Sequence, residues 1–382
     1  MLPQITTKLP NTGTTIFAVM SALAAQHNAI NLSQGFPDFP ISPQLEQYLI
    51  QAVSKGMNQY APMPGSMRLR TQIAELNARV YGANVNPDTQ VTITSGATEA
   101  LFDAITSIVN IGDEVIVLEP AYDSYIPAIE LNGGIPIPIP LDYPDYSIPW
   151  QKVWDAVTPK TRAIIINSPH NPTGAVLNAE DIQQLKLLVA QYPLWIISDE
   201  VYEHFCFHPE GHHSVLRYPE LAERAFKISS FGKTFHVTGW KTGYCIAPPA
   251  LTQEFRKIHQ FVTFASPTPL QEAIADMLGD PAEVDHLLPF YQQKRDAFLA
   301  YMKDARFKPL PCKGTYFQLM DYSAISDAPD TEFAITLTRQ YGVASIPVSV
   351  FYAQPQDRKV LRFCFAKQDE TLRQAAEKLC KI

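Results

Sequence analysis

Short apolar runs alternating with amphipathic stretches set the pattern of this chain. In its middle third the runs are Val91–Thr94, Val115–Leu118, Ile135–Ile139, Thr161–Ile166, Leu194–Ile197, Phe226–Ser229 and Tyr244–Ala247. Each has strand length, and most are apolar throughout rather than at every second position. Strands of that kind are buried on both faces, as in a parallel sheet covered by helices. The helical spacing of Ala179–Gln191, which precedes one of the runs, fits a β-α-β order. Upstream, Ile16, Phe17, Met20, Leu23, Ala24 and His27 recur at helical spacing within Thr15–His27, and Ala29–Leu32 reads as extended. Helices are predicted over Gln44–Ser54 and Ser66–Tyr81, with an extended loop, Asn58–Pro62, between them. Beyond the last central run come helices over Leu251–Phe261, Leu270–Leu278 and Leu287–Ala305, the last of which opens a second unit. That unit carries a strand near Thr315–Met320, a helix over Thr331–Tyr341 and a strand over Val360–Phe365.

Composition narrows the class. A chain of 382 residues is long for one core, so two domains or one large α/β domain are expected. A net charge of -8 disfavours a nucleic-acid partner, which wants a basic surface. No apolar run approaches the length of a membrane span, so no membrane partner is expected. Met1–Asn11 lacks the apolar core of a secretion signal. The 5 cysteines are scattered, odd in number and without a C-x-x-C pair, which points to a reduced, cytoplasmic protein.

Candidate chemistry gathers where the apolar runs end, the place where open α/β sheets bind ligands. Ser95-Gly96-Ala97-Thr98 follows a strand and opens a helix, leaving backbone N–H groups for an anion. Other run ends lead into Tyr122, into Asn171-Pro172-Thr173-Gly174 and into Asp199-Glu200-Val201-Tyr202. Ser230-Phe231-Gly232-Lys233 follows the run at 226, with Lys241 a little further on. A lysine among small and aromatic residues loses proton affinity on burial, and its neutral amine can form a Schiff base with a carbonyl. With Ser230 and Lys241 nearby, the stretch suits a carbonyl cofactor that bears a phosphate. Arg362 stands in apolar company and needs an anionic partner or a route to solvent; a substrate carboxylate would suit it. Gly35, in Ser33-Gln34-Gly35-Phe36-Pro37-Asp38, offers a backbone geometry closed to other residues and close approach to a ligand. Taken singly, each has a plain structural reading: Asp199 a helix cap, Asn171-Pro172 or Gly35 a turn, Tyr122 core, Arg362 an ion pair.

Taken together and in this order, the motifs resemble those of the pyridoxal-phosphate aminotransferases of fold type I, class I/II, over essentially the whole chain. Ser168-Pro169-His170-Asn171-Pro172-Thr173-Gly174 and Gly232-Lys233-Thr234-Phe235-His236-Val237-Thr238-Gly239-Trp240-Lys241 bring the text nearest to the methionine aminotransferase, kynurenine aminotransferase and glutamine transaminase K group.

The resemblance implies a large domain with a mostly parallel seven-stranded sheet between helices, at 44–283, and a smaller α+β domain built from both termini. The latter would comprise an N-terminal segment, 1–43, and a C-terminal part, 284–382. It implies pyridoxal 5'-phosphate held covalently by Lys233, which then moves the substrate proton. Asp199 would pair with the pyridine nitrogen, Asn171 and Tyr202 would bond the ring oxygen, and Tyr122 would stack on the ring. Gly96, Ala97, Thr98, Ser230 and Lys241 would hold the phosphate. Tyr60 would reach the phosphate of the neighbouring subunit of a homodimer with shared active sites. Arg362, helped by Asn171 and the Gly35 backbone, would bind the substrate α-carboxylate.

The expected activity is transfer of an amino group from a hydrophobic or aromatic L-amino acid to a 2-oxo acid. Methionine is favoured, then phenylalanine, tyrosine, kynurenine and glutamine. The side-chain pocket is expected near Ile16, Phe17, Phe36, Tyr60, Tyr122 and Phe264, and the absence of arginine from Gln260–Ser266 disfavours aspartate. The alternatives are a β-lyase acting on cysteine conjugates or cystathionine, and a non-catalytic binding protein, which would be expected to lack Lys233 or Asp199. His204, His208, His212 and His213 with Cys206 read as a solvated loop, and no metal site is expected there. Trp154 and Trp195 are expected in the core.

Overall fold

A computed structural model describes residues 3–10 and 12–382; Met1, Leu2 and Asn11 of the amino-terminal segment lie outside the described residues. The predicted apolar runs all form strands of one seven-stranded sheet. Their spatial order is Val91–Thr94, Gly243–Ile246, Ala225–Ser230, Trp195–Asp199, Thr161–Asn167, Glu114–Glu119, Ile135–Pro140. Gly243–Ile246 runs antiparallel to both neighbours, and the remaining pairings are parallel. Every residue of Val91–Thr94, Ala225–Ser230 and Gly243–Ile246 is buried, polar Thr92, Thr94 and Lys227 included, as in a sheet covered on both faces. Each Val or Ile withdrawn from water there contributes about 1.5–3 kcal/mol.

The covering helices begin where their sequences cap them. Thr15 accepts the Ala18 N–H ahead of Ile16–Gln26, and Asn178 and Asp181 form a reciprocal capping box at Ala179–Gln191. The helix predicted over Leu287–Ala305 ends earlier, at Tyr301.

A second, antiparallel sheet packs beside the first. Its order is Ile346–Pro347, Val360–Cys364, Phe317–Asp321, Lys308–Pro309. Arg362 lies on its buried second strand, opposite Leu319 on one side and Ile346 on the other. The amino-terminal segment joins this part of the molecule: Ile30–Asn31 pairs in parallel with Val343–Ala344, and the Leu32 carbonyl accepts from Cys364 N–H at 2.8 Å. Residues more than three hundred positions apart are thereby brought to one cleft.

The histidine-rich stretch is not the solvated loop that its Pro209 and Gly211 suggest. His212 and His213 are buried, and so is Cys206. His212 Nε2 lies 2.9 Å from Glu200, and His213 bonds both Tyr218 and Glu210. Turn residues announce a change of chain direction but not whether the turn folds back onto the core. Trp154 and Trp195 are partly buried against the apolar clusters on either face of the central sheet.

Candidate active site

An open cleft lies at the carboxyl ends of the central strands. Strand register explains much of its lining. Asn167 and Asp199 are paired neighbours at the ends of adjacent strands, and Ser230 ends the next strand opposite Gly243. The cleft collects Gly96, Ala97, Thr98, Tyr122, Asn171, Asp199, Tyr202, Ser230, Lys233 and Lys241. Arg362 and Gly35 adjoin it through hydrogen bonds to Asn171 and Lys233 respectively.

Lys233 sits in a single helical turn, Phe231–Thr234, that starts as the strand Ala225–Ser230 ends. Its ammonium donates to the Gly35 carbonyl at 3.2 Å and lies 5.8 Å from the ring centres of Tyr202 and Tyr316. Burial lowers its pKa to about 8, and the Arg362 charge adds to the effect. A substantial neutral fraction is therefore present near neutral pH.

Asp199 is buried at the end of its strand. Its Oδ2 accepts the Tyr125 hydroxyl at 2.6 Å, and its Oδ1 accepts the Val201 N–H at 3.3 Å. Burial raises the carboxyl to about 6, while these two donors and the Lys233 charge pull it back. A carboxylate so desolvated gains strongly from a cationic N–H partner.

Arg362 is 1% exposed. Its Nη1 donates to Asn171 Oδ1 at 2.8 Å and its Nη2 to the Ser33 carbonyl at 2.9 Å, while Nε has no partner. The guanidinium lies over the Phe317 ring at 3.9 Å, with Phe17 at 5.2 Å and Phe351 at 5.7 Å. Burial lowers its pKa to about 10, so it remains charged at neutral pH, yet no ion pair holds it among the described residues. A buried cation with unused N–H groups in a fixed fork has the chemistry to bind a carboxylate.

The other end of the cleft suits a dianion. The helix Gly96–Ile108 presents its first-turn N–H groups, and the Lys241 ammonium lies where a Cβ on Gly96 would be 3.3 Å away. Gly243 lets its strand pass close beneath this turn, since a Cβ there would stand 2.9 Å from Ala97 N. Tyr122 lines the cleft together with Thr98, and burial raises its pKa. Burial likewise raises Tyr202.

Gly35 has a different reason for being glycine from the one its sequence suggests. Its φ is outside the left-handed region, but a Cβ would stand 2.8 Å from Phe317 Cζ. Space, and not torsion, excludes a side chain. Tyr60 does not line its own chain's cleft: it is 84% exposed and packs edge to face on Phe264 at 5.5 Å. Of the other expected pocket residues, Phe17 and Tyr122 border a largely apolar depression that shares Thr98 and Tyr122 with the cleft, Ile16 packs on the core, and Phe36 is half exposed. Sequence reasoning passed over Tyr125, Asn167, Ser33 and Tyr316. Tyr316 bonds the Gly35 carbonyl, and Asn167 ties the Asp199 carbonyl to the Asn171 N–H. The strand-end position of Asn167 was the one available signal.

Comparison with known proteins agrees with this geometry. The family model for aminotransferase class I and II matches residues 27–379. The methionine aminotransferase of Escherichia coli (strain K12) is 50% identical, across 100% of this chain and 99% of its own length. A solved E. coli structure identified with a methionine aminotransferase function superimposes with a TM-score of 0.97, at 50% identity and 100% coverage of both chains. A probable N-succinyldiaminopimelate aminotransferase of Mycobacterium tuberculosis is 39% identical, covering 96% of this chain and 95% of its own. The kynurenine–oxoglutarate transaminase of Dictyostelium discoideum is 37% identical, covering 97% and 94%. The cleft with its lysine, aspartate and free guanidinium, the sheet around it and these relatives agree: the chain belongs to the class I and II aminotransferases, enzymes of fold type I.

Proposed function

We propose that the enzyme uses pyridoxal 5'-phosphate at Lys233 to move the amino group of methionine, or of a similar uncharged L-amino acid, onto a 2-oxo acid. The observation that carries this reading is the convergence of a depressed lysine, a buried carboxylate and an unpaired buried guanidinium on one cleft.

The residues fit the cofactor. Lys241, Ser230 and the N–H groups of Ala97 and Thr98 are a donor set for its phosphate. Asp199 would hold a proton on the ring nitrogen, Asn171 and Tyr202 would donate to the ring oxygen, and Tyr122 would cover one face. When bound, the cofactor supplies an electron sink for negative charge at the substrate α-carbon. Lys233, once the substrate's amino group has displaced its amine from the cofactor, would take the proton from the α-carbon and give it back on the cofactor side of the transferred nitrogen. Arg362 and Asn171 fix the α-carboxylate, orienting the α-hydrogen toward Lys233.

Support for an uncharged substrate comes from the depression bordered by Thr15, Phe17, Phe102 and Tyr122. Its only ionisable lining groups are Tyr122 and Asp123, and a carboxylate at Asp123 would repel acidic side chains. The 50% identity to a methionine aminotransferase supports methionine ahead of phenylalanine, tyrosine, kynurenine and glutamine. Exposed Tyr60, Phe261 and Phe264 support a homodimer in which Tyr60 completes the partner's phosphate site. We further assign residues 1–43 with 284–382 to a small domain and 44–283 to a large one. A cytoplasmic location is consistent with the absence, among the described residues, of a helix long and apolar enough to cross a membrane. Borohydride reduction of the reconstituted enzyme, followed by peptide mass spectrometry, should put the pyridoxyl group on Lys233. A modification at Lys241 or Lys227 in its place would refute the assignment.

A further inference from the structure

His259 has no part in the cleft's lining, yet it is 0% exposed and faces two carboxylates. It lies on the helix Pro249–Val262, which packs on the helix Gly96–Ile108. Its Nδ1 is 2.7 Å from Glu99 Oε1 and 3.7 Å from Asp103 Oδ2, and its Nε2 is 3.1 Å from the Met63 carbonyl. A carbonyl only accepts, so Nε2 carries a proton. Nδ1 confronts carboxylate oxygens, which also only accept when ionised, so that contact needs a proton too. Both oxygens of buried Asp103 lack a hydrogen-bond partner, which leaves its charge balanced by His259 alone. The three side chains are also close enough to hold a metal ion, but the two bonds made by the imidazole are those of a doubly protonated ring.

The cluster is connected to the cofactor end of the cleft in two ways. The second oxygen of Glu99 accepts the N–H of Ser95, the residue that caps the phosphate-facing helix. The Met63 carbonyl belongs to the loop between helices Pro43–Ser54 and Met67–Tyr81, which also carries Tyr60. Resting on the reading that the turn at Gly96 binds a phosphate, we propose that His259 is a positioning residue for that phosphate. As an imidazolium it neutralises Glu99 beside the anion cup, and it ties the Tyr60 loop to the same helix start.

The groups facing His259 favour its charge. Glu99 and Asp103 approach from the Gly96 helix. Cys245, on the antiparallel strand, is buried and protonated at neutral pH. Arg256, one turn before His259, is engaged by Thr92 Oγ1 at 3.1 Å and by the carbonyls of Asp88 and Val91 at 2.8 Å. Burial disfavours the imidazolium, but the bond to Glu99 and the nearby negative charge of Asp103 outweigh it and hold the ring at about 9. Phosphate binding near Glu99 should therefore not weaken through His259 until the medium is alkaline.

Two experiments test this. Two-bond ¹H–¹⁵N correlation spectra of the cofactor-free enzyme should show both His259 nitrogens protonated at neutral pH. A neutral tautomer would overturn the proposal, whatever the cofactor does. Affinities for pyridoxal phosphate and for pyridoxal are then compared in the wild type, in His259→Gln and in His259→Gln/Glu99→Gln. An uncompensated carboxylate at an effective dielectric of about 20 should weaken the phosphorylated aldehyde by ~10-fold or more. Pyridoxal should be unaffected, and the double variant should recover part of the loss. Equal losses for the two aldehydes, or no recovery, would reduce His259 to a packing role. Failure of the wild type itself to bind pyridoxal phosphate would instead refute the reading of the cleft.

Discussion

Replacing Arg362 separates binding of the α-carboxylate from the rest of the reaction. The guanidinium uses one N–H on Asn171 and one on Ser33, leaving Nε and the second hydrogens of both terminal nitrogens. A carboxylate held in two parallel charge-assisted hydrogen bonds, at about 1.5–3 kcal/mol each, would gain about 3–6 kcal/mol. At 1.4 kcal/mol per decade that is roughly 10²–10⁴ in kcat/KM. Arg362→Leu should lose this factor with methionine, and Arg362→Lys, which keeps the charge but not the fork, should lose about half of it on the logarithmic scale. The assay is the single-turnover bleaching of the visible band of the lysine-bound cofactor. A control is 3-(methylthio)propylamine, which has the same side chain and no carboxylate. Its much slower reaction should be unchanged by either substitution, and the cofactor band should form normally. If both substrates lose the same factor, or methionine loses less than about tenfold, Arg362 is not the carboxylate receptor.

Tyr125→Phe removes a donor that holds Asp199 down from the effect of its burial, so the carboxyl should titrate above about 6. The group must be ionised to meet a ring N–H, so cofactor affinity should fall on the acid side and begin to fall at higher pH in the variant. Titration of the cofactor-free protein at several pH values checks this, and superimposable profiles would contradict it. Gly35→Ala puts a methyl 2.8 Å from Phe317, the ring beneath Arg362. Overpacking of this kind costs about 1–3 kcal/mol, visible as a lowered Tm, with a raised KM for methionine as the guanidinium is displaced. Tyr60→Phe and Lys233→Ala subunits, each inactive or impaired alone, should on mixing yield hybrids with one unimpaired site if Tyr60 serves the neighbour. No recovery on mixing would place Tyr60 outside the partner's site.

The central sheet was legible because its strands are buried on both faces, so apolar runs such as Val115–Leu118 and Leu194–Ile197 stand out with no periodicity to decode. The cleft was legible because polar residues interrupt those runs at their ends, as at Asp199 and Ser230. What escaped was whatever tertiary contact alone decides. Tyr125 lies in Tyr-Ile-Pro-Ala-Ile, which reads as core packing, and only the fold turns its hydroxyl onto Asp199. Glu99 and Asp103 carry no signal along the chain, and only the opposing helix brings His259 against them. The histidine loop shows the converse error: turn residues made it look solvated, while Glu200 draws His212 inward. Gly35 was marked as special for its backbone freedom, whereas its constraint is one of space that no local pattern carries.

The most direct test is the absorbance spectrum of the reconstituted enzyme before and after L-methionine is added without an oxo acid. The visible band of the lysine-bound cofactor should give way to the near-ultraviolet band of the aminated cofactor, with one equivalent of 4-methylthio-2-oxobutanoate released per active site. A reconstituted protein with no visible band, or one whose Lys233→Ala variant retains it, would contradict the assignment of Lys233.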